Sequence, residues 1–108
     1  MTTTVHPRLP ATYEQVEAFC QKWQITRFEL FGSVLRDDFD SKSDVDVLVT
    51  FADGARVRFG DLLDMEEELR EMFGRPVDLV ERKAIERSPN WIRRRRILES
   101  AEPVYTAA

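Results

Sequence analysis

Two carboxylates interrupt the most apolar stretch of the sequence, which limits the folds that the chain can adopt. Residues 45–51 read VDVLVTF, a run with the length and composition of a buried strand. Asp44 and Asp46 are two positions apart, so both side chains project from one face of that strand. Aspartate is rare in strands because its carboxylate is costly to remove from water. The strand is therefore expected to bury its valines on one face and to present both carboxylates on the other.

Length and composition predict a single globular domain with a modest core. The chain has 108 residues, of which 43% are hydrophobic and 33% are charged. The single cysteine, Cys20, cannot form an intrachain disulfide, which fits a reducing, cytoplasmic location. We recognise no signal peptide and no apolar run long enough to span a bilayer, so no membrane partner is expected. The net charge of −4 disfavours direct binding to nucleic acid.

Strands and helices alternate along the sequence, which predicts an α/β or α+β domain with a small mixed sheet flanked by helices. Predicted helices cover residues 13–23, 60–73 and 90–100, and predicted strands cover residues 27–31, 45–51 and 77–81. We expect Ser88-Pro89 to start the last helix, whose inner face includes Trp91, Ile92, Leu98 and Ala101. Residues 1–11 are expected to form a flexible lead-in to a domain that covers residues 12–108.

A third carboxylate, Asp78, lies inside the short apolar strand predicted at residues 77–81. It would join Asp44 and Asp46 if this strand lies beside the strand that carries them. Carboxylates on one face raise each other's pKa unless a cation compensates, and hard oxygen ligands of this kind suit Mg²⁺. Solvated aspartates at a strand edge are the alternative. A calcium loop is disfavoured because the glycine and glutamate that it requires are missing.

A Gly-Ser pair, Gly32-Ser33, ends the first predicted strand, and ten residues separate it from Asp44. Glycine is an ordinary residue for ending a strand, and Ser33 is expected to cap a short helical turn that runs to Arg36. The same residues could instead bind phosphate. Gly32 would let a phosphate approach the backbone, while Ser33 and the N–H groups that follow donate to it.

The combined pattern resembles the signature of the DNA polymerase β-type nucleotidyltransferase superfamily. Phe31-Gly32-Ser33, ten residues and Asp44-Val45-Asp46-Val47 follow its order of hydrophobic residue, Gly, Gly or Ser, spacer, and Asp-hydrophobic-Asp-hydrophobic. Asp78 in VDLV looks like the superfamily's third carboxylate. The short chain and the ending RRRRILESAEPVY are similar to the minimal nucleotidyltransferase (MNT) group over residues 15–105. Asp37 departs from that group, in which many members have glycine at this position.

The resemblance implies a polymerase β-like fold and a site for two Mg²⁺ ions and ATP. In such a site Asp44 and Asp46 bridge the ions, and Asp78 binds one of them and helps to activate the attacking hydroxyl. Gly32 and Ser33 would bind the β- and γ-phosphates. Arg36 is expected either to contact phosphate or to form a structural ion pair.

MNT proteins are commonly antitoxins encoded beside a HEPN ribonuclease toxin. The resemblance therefore implies a protein adenylyltransferase that transfers AMP from ATP to a toxin tyrosine, in a type VII-like toxin–antitoxin pair that forms a hetero-oligomer. Neutralisation by binding alone is one alternative. Transfer to a small molecule is another, although related enzymes of that type carry an additional helical domain. The role of Arg93–Arg96 stays open between a solvated helix end and a contact with a partner or with phosphate.

Overall fold

A computed structural model describes residues 3–107 of the chain, which form a four-stranded mixed sheet with helices on both faces. The elements are α1 (Tyr13–Lys22), β1 (Ile25–Phe31), a 3-10 turn (Gly32–Leu35), β2 (Val45–Phe51), α2 (Phe59–Phe73), β3 (Val77–Glu81), α3 (Arg82–Glu86), α4 (Trp91–Ser100) and β4 (Glu102–Thr106). The strand order is β3-β2-β1-β4, with β2 and β3 parallel and the other neighbours antiparallel. The predicted small mixed α+β sheet is confirmed, and all six predicted elements end within two residues of their expected limits.

The two faces of the sheet pack against different helices. The valines of β2 lie in the larger core, which α1 and α2 cover. Leu48 lies on the opposite face in a smaller cluster with Ile85 of α3 and Ile97 of α4. Because side chains alternate along a strand, Asp46 shares this second face with Leu48. On this second face, α3 and α4 cover Leu48, whereas Asp46 lies outside that apolar cluster.

Local sequence signals set the ends of α1 and α2. At the start of α1, Thr12 Oγ1 accepts from the backbone N–H of Gln15 at 3.2 Å, and the Gln15 side chain accepts from the N–H of Thr12 at 2.8 Å. This reciprocal pair is the capping box that the spacing indicates. At the end of α2, Gly74 adopts φ 71°, a left-handed conformation that favours glycine.

The start and the inner face of α4 differ from the prediction. Asn90 caps the helix and accepts from the N–H of Arg93 at 3.1 Å, so Ser88 is not its N-cap. Trp91 and Ile92 are 58% and 50% exposed, whereas Ile97 is buried against the sheet. The predicted inner face is wrong in the first turn because packing of Ile97 on the sheet rotates that turn towards solvent.

The segment before α1 packs on the domain, contrary to the boundary predicted at residue 12. Leu9 is 2% exposed and Ala11 is fully buried, and the N–H of Val5 donates to the carbonyl of Ala11 at 2.9 Å. Isolated apolar residues among prolines carry no periodic signal, so the sequence did not predict this packing. Residues 1 and 2 of the expected lead-in lie outside the described residues. Within residues 3–107, no helix is both long enough and apolar enough to cross a membrane.

Candidate active site

The parallel pairing of β2 and β3 places two carboxylates side by side. Asp46 is the register partner of Asp78, so both side chains lie on the same face of the sheet. Asp44 immediately precedes β2 and is exposed like Asp78, whereas Asp46 is half-buried. The third strand therefore lies beside the second, as the proposed cluster of three carboxylates requires.

The electrostatics of Asp46 reflect this crowding. Burial raises the pKa of Asp46 above the usual range, and the nearby carboxylates of Asp78 and Asp44 raise it further. The guanidinium groups of Arg36 and Arg93 act in the opposite direction and lower the pKa of Asp46. In the part of the chain from residue 3 to residue 107, none of the three carboxylates forms an ion pair within 4.0 Å. The negative charges are therefore compensated only at a distance.

Gly32 lies directly against the carboxylate of Asp46. A Cβ atom placed on Gly32 would overlap Oδ2 of Asp46 and would lie 3.1 Å from its Cγ. Gly32 also has φ +76°, in the left-handed region that side chains rarely adopt. Both the close approach and the backbone conformation therefore require glycine, and the turn after β1 forms one continuous surface with Asp46.

The residues Gly32–Leu35, which we call the Gly32 turn, connect β1 to the loop before β2. Ser33 lies inside this turn and does not cap it, because the turn already begins at Gly32 and has no side-chain cap. The predicted capping role of Ser33 is therefore wrong. Its half-buried side chain instead has Oγ 3.4 Å from the carbonyl of Asp44, to which it donates. This contact joins the Gly32 turn to the start of β2.

Two arginines form polar contacts at the Gly32 turn: one pairs with a carboxylate and the other donates to backbone carbonyls. Arg36 forms an exposed ion pair with Asp38, Nε to Oδ1 at 3.1 Å, which is one of its two predicted roles. Nη1 of Arg8 donates to the carbonyl of Val34 at 3.1 Å and also to the carbonyl of Arg36. Sequence reasoning missed Arg8 because it lies in the segment expected to be a lead-in, far along the chain from the turn that it contacts.

The loop between the Gly32 turn and β2 is fixed from two sides through Phe39. The guanidinium carbons of Arg8 and Arg75 lie 5.9 Å and 4.4 Å from the centre of the Phe39 ring. Nη1 of Arg75 also donates to the carbonyls of Asp40 at 2.8 Å and Ser43 at 3.1 Å. This loop is therefore held in place immediately before the strand that carries the carboxylates.

Helix α2 fixes the backbone beside Asp78. Oε2 of Glu66 accepts from the N–H of Leu79 at 3.0 Å, on the edge strand β3. Glu66 is spaced three residues before the buried Leu69, so it falls within the apolar stripe of α2, and that spacing alone does not predict this contact. A glutamate in an otherwise apolar stripe is the signal that could have indicated a buried polar partner.

The carboxylates have the chemistry that binds a divalent cation, although they do not form a complete ligand cage. Within the described ranges, no group of three or more Asp, Glu, His or Cys side chains has the spacing of a metal site. Mg²⁺ commonly takes only one or two carboxylates and completes its coordination with water and substrate phosphates. Asp46, with its raised pKa and its acidic neighbours Asp44 and Asp78, fits this pattern. The absence of a side chain on Gly32 lets the turn approach this carboxylate without a collision.

A cavity of about 360 Å³ adjoins the Gly32 turn on the side facing α4. A volume of this size accommodates a small ligand or part of a larger one. The lining residues are Phe31, Gly32, Leu35, Arg36, Arg96, Ile97, Ser100 and Glu102. Cationic side chains therefore reach the cavity from both the Gly32 turn and α4.

Sequence comparisons agree with this geometry. Residues 13–104 match the family model described as Nucleotidyltransferase domain. A provisionally named protein adenylyltransferase of Methanocaldococcus jannaschii is 33% identical over 64 residues, which are 59% of this chain and 64% of that protein. The matched part thus spans slightly less than two thirds of this relative's length.

Solved structures show the same fold. A provisionally named minimal nucleotidyltransferase is 30% identical with a TM-score of 0.65, and the match covers 84% of this chain and 87% of that one. The complex of tri-AMPylated Shewanella oneidensis HEPN toxin with MNT antitoxin matches at 18% identity and TM-score 0.58, covering 88% of this chain and 70% of that one. This second likeness shows the fold alone. Because the family model covers most of its length, the chain belongs to the nucleotidyltransferase domain family, and its fold is the polymerase β-like fold of the minimal nucleotidyltransferases.

Proposed function

We propose that the chain is a Mg²⁺-dependent adenylyltransferase that transfers AMP from ATP to a tyrosine of a HEPN-type toxin, and that it acts as the antitoxin of that pair. The observation that carries the proposal is the contact of Gly32 with Asp46, which is paired in register with Asp78. The Gly32 turn thus adjoins an acidic cluster, which supports a site for a metal-bound triphosphate. The name of the Methanocaldococcus relative supports protein adenylyltransfer, and the AMPylated toxin complex supports the kind of acceptor.

Each residue has a defined role in this proposal. Gly32 lets the backbone of the turn lie against Asp46 with no side chain between them. Ser33 and the N–H groups of the Gly32 turn donate to the β- and γ-phosphates. Asp44, Asp46 and Asp78 would hold two Mg²⁺ ions, which supply charge neutralisation and lower the pKa of the acceptor hydroxyl. Asp78 accepts the hydroxyl proton. The acceptor oxygen then bonds to the α-phosphorus, the bond from that phosphorus to the bridging oxygen breaks, and pyrophosphate leaves.

The test is transfer of AMP to a HEPN-type toxin in the presence of ATP and Mg²⁺, followed by intact mass spectrometry of the toxin. We expect AMP to be added to the toxin by the wild-type protein, and Asp46→Asn to reduce the rate by roughly 1,000-fold or more. Asp78→Asn should slow transfer far more than it weakens ATP binding. Glu99→Gln, an exposed change on α4, is the matched control. Full metal-dependent transfer by Asp46→Asn would show that the site assignment is wrong.

The same assay separates the alternative functions. A toxin that loses its ribonuclease activity without any change in mass would indicate neutralisation by binding alone. Modification of an added small molecule, with no modification of the toxin, would indicate a small-molecule nucleotidyltransferase. Either result would overturn the proposed protein adenylyltransfer.

A further inference from the structure

The four consecutive arginines of α4 divide into two pairs with different surroundings. Arg94 is half-buried and its Nη1 donates to the carbonyl of Ser88 at 2.8 Å, so it stabilises the start of the helix. Arg95 pairs with Glu99, Nε to Oε1 at 3.0 Å, on the exposed surface. Arg93 and Arg96 form no ion pair with any residue between 3 and 107. Two of the four charges therefore have no structural partner.

Arg93 and Arg96 lie on the helix side nearest the candidate active site. Residues three apart are neighbours on a helix surface, so the two guanidinium groups can act together. Arg93 is exposed and lies one helical turn before Arg96 on α4, so its side chain belongs to the same side of the helix. Arg96 lines the cavity that the Gly32 turn and Arg36 also line. Burial of Ile97 against the sheet fixes the orientation of α4, which keeps both side chains near the site.

The strand order indicates how a nucleotide would be oriented in the proposed site. Crossing the sheet from its edge, Asp78 on β3 comes first, Asp46 on β2 follows, and the Gly32 turn at the end of β1 comes third. The cavity lined by Arg36 and Arg96 begins at that turn. If the acceptor hydroxyl is activated at Asp78, the α-phosphate lies near Asp46 and the remaining phosphates extend towards the cavity.

We propose that Arg93 and Arg96, together with Arg36, bind the polyphosphate end of the nucleotide, which is the part that leaves as pyrophosphate. This inference rests on the proposed nucleotidyl transfer. Guanidinium groups form paired, charge-assisted hydrogen bonds with phosphate oxygens. Leu35 and Ile97 form an apolar part of the same cavity wall, which also includes Glu102. Arg94 and Arg95 serve the helix and take no part in binding.

The experiment measures equilibrium binding of ATP, AMP and inorganic pyrophosphate to the full chain by calorimetry with Mg²⁺ and without an acceptor. Arg93→Gln and Arg96→Gln are each expected to weaken ATP and pyrophosphate binding roughly tenfold, with AMP binding changed less than about twofold. Arg95→Gln removes the same charge from the same helix and is the matched control. It should leave all three affinities within about twofold of wild type.

Two results would overturn the inference. One is a loss of ATP affinity in Arg93→Gln and Arg96→Gln no greater than that in Arg95→Gln. The other is an equal loss for ATP and AMP, which would place the arginines at the nucleoside. Because no acceptor is present, selective loss of ATP and pyrophosphate binding supports the polyphosphate site even if transfer to a toxin fails. A failed proposal of protein adenylyltransfer is thus distinguishable from a failed polyphosphate site.

Discussion

The backbone of Gly32 lies so close to the carboxylate of Asp46 that no side chain fits between them. Gly54 provides a comparison, because it has φ +83° and a Cβ atom there would meet nothing within 4 Å. The two glycines therefore share a left-handed backbone but differ in what surrounds them. Substitution at both positions separates the cost of backbone conformation from the cost of the collision.

We expect Gly54→Ala to lower the free energy of unfolding by about 1 kcal/mol and to leave transfer unchanged. Gly32→Ala should cost about 1–3 kcal/mol more because the methyl group displaces Asp46. It should also reduce transfer by at least roughly 100-fold, since the reacting groups are misplaced. Urea unfolding and the toxin mass assay measure the two effects. Equal behaviour of the two variants would contradict the close contact as a functional requirement.

The raised pKa of Asp46 predicts how stability depends on pH. Because this pKa is higher in the folded chain, the folded chain binds more protons between the usual aspartate value of about 4 and the raised value. Stability from this group is therefore lost as pH rises through that window. Above the window and without Mg²⁺, Asp46→Asn should be more stable than wild type, and the difference should diminish below about pH 4.

Urea unfolding of both proteins across this pH range, with and without Mg²⁺, measures the difference. Added Mg²⁺ should stabilise wild type more than Asp46→Asn, because the carboxylate is a proposed ligand. If Asp46→Asn is more stable than wild type by the same free energy at every pH, repulsion between the carboxylates is not the cause.

A buried ion pair holds α3 against the sheet. Glu29 of β1 is 1% exposed, and its Oε1 lies 2.8 Å from Nη1 of Arg82 and 3.2 Å from Nε of Arg27. Arg82→Gln leaves a buried carboxylate with only the second arginine, and we expect it to cost about 3 kcal/mol in urea unfolding. The double variant Glu29→Gln/Arg82→Gln should cost less than Arg82→Gln alone. A larger loss in the double variant would mean that the buried charge is not the main cost.

Arg8 lies outside residues 13–104, which match the family model, but it contacts the Gly32 turn. We therefore expect substitution of Arg8 to affect both stability and transfer. Arg8→Gln removes a donor to the carbonyls of Val34 and Arg36 and should lower stability by about 1 kcal/mol. We expect transfer to fall roughly tenfold because the Gly32 turn, where we propose that phosphate binds, is less well positioned. Faster hydrogen exchange of the amides of residues 33–40 would accompany the loss.

Lys22→Gln is the control for Arg8→Gln, since Lys22 is an exposed cation whose ion pair is with Glu68 of α2. It should affect neither transfer nor exchange in the Gly32 turn. Unchanged transfer in Arg8→Gln would show that the turn keeps its geometry without this donor.

The sequence predicted those parts of the fold that depend on local periodicity. The alternation in β2 fixed which face Asp46 occupies, and the apolar strand around Asp78 indicated a partner for it. The position of Asp78 opposite Asp46 depends on which strands pair. The sequence therefore predicted it only for the case that the two strands are neighbours in the sheet. The resemblance to a family implied that Asp78 joins the site, which periodicity does not contain.

Contacts between distant segments could not be predicted in this way. Arg8 approaches the Gly32 turn, and Glu66 accepts from the backbone of β3, although no local pattern identifies the partner of either residue. The outward rotation of Trp91 follows from how Ile97 packs on a sheet face that is visible only in three dimensions. Such contacts are set by tertiary packing, which overrides local tendencies in the chain.

The register between β2 and β3 also sets when the site can form during folding. β1 and β2 are connected by a loop and pair antiparallel, so they can associate while much of the chain is unfolded. Asp78 reaches Asp46 only after residues 47–77, including α2, have folded back to make the parallel pair. A truncated or nascent chain that ends before β3 therefore contains Gly32 and Asp46 but lacks the third carboxylate. The proposed transfer therefore requires the long-range pairing of β2 with β3 as well as the hairpin of β1 and β2.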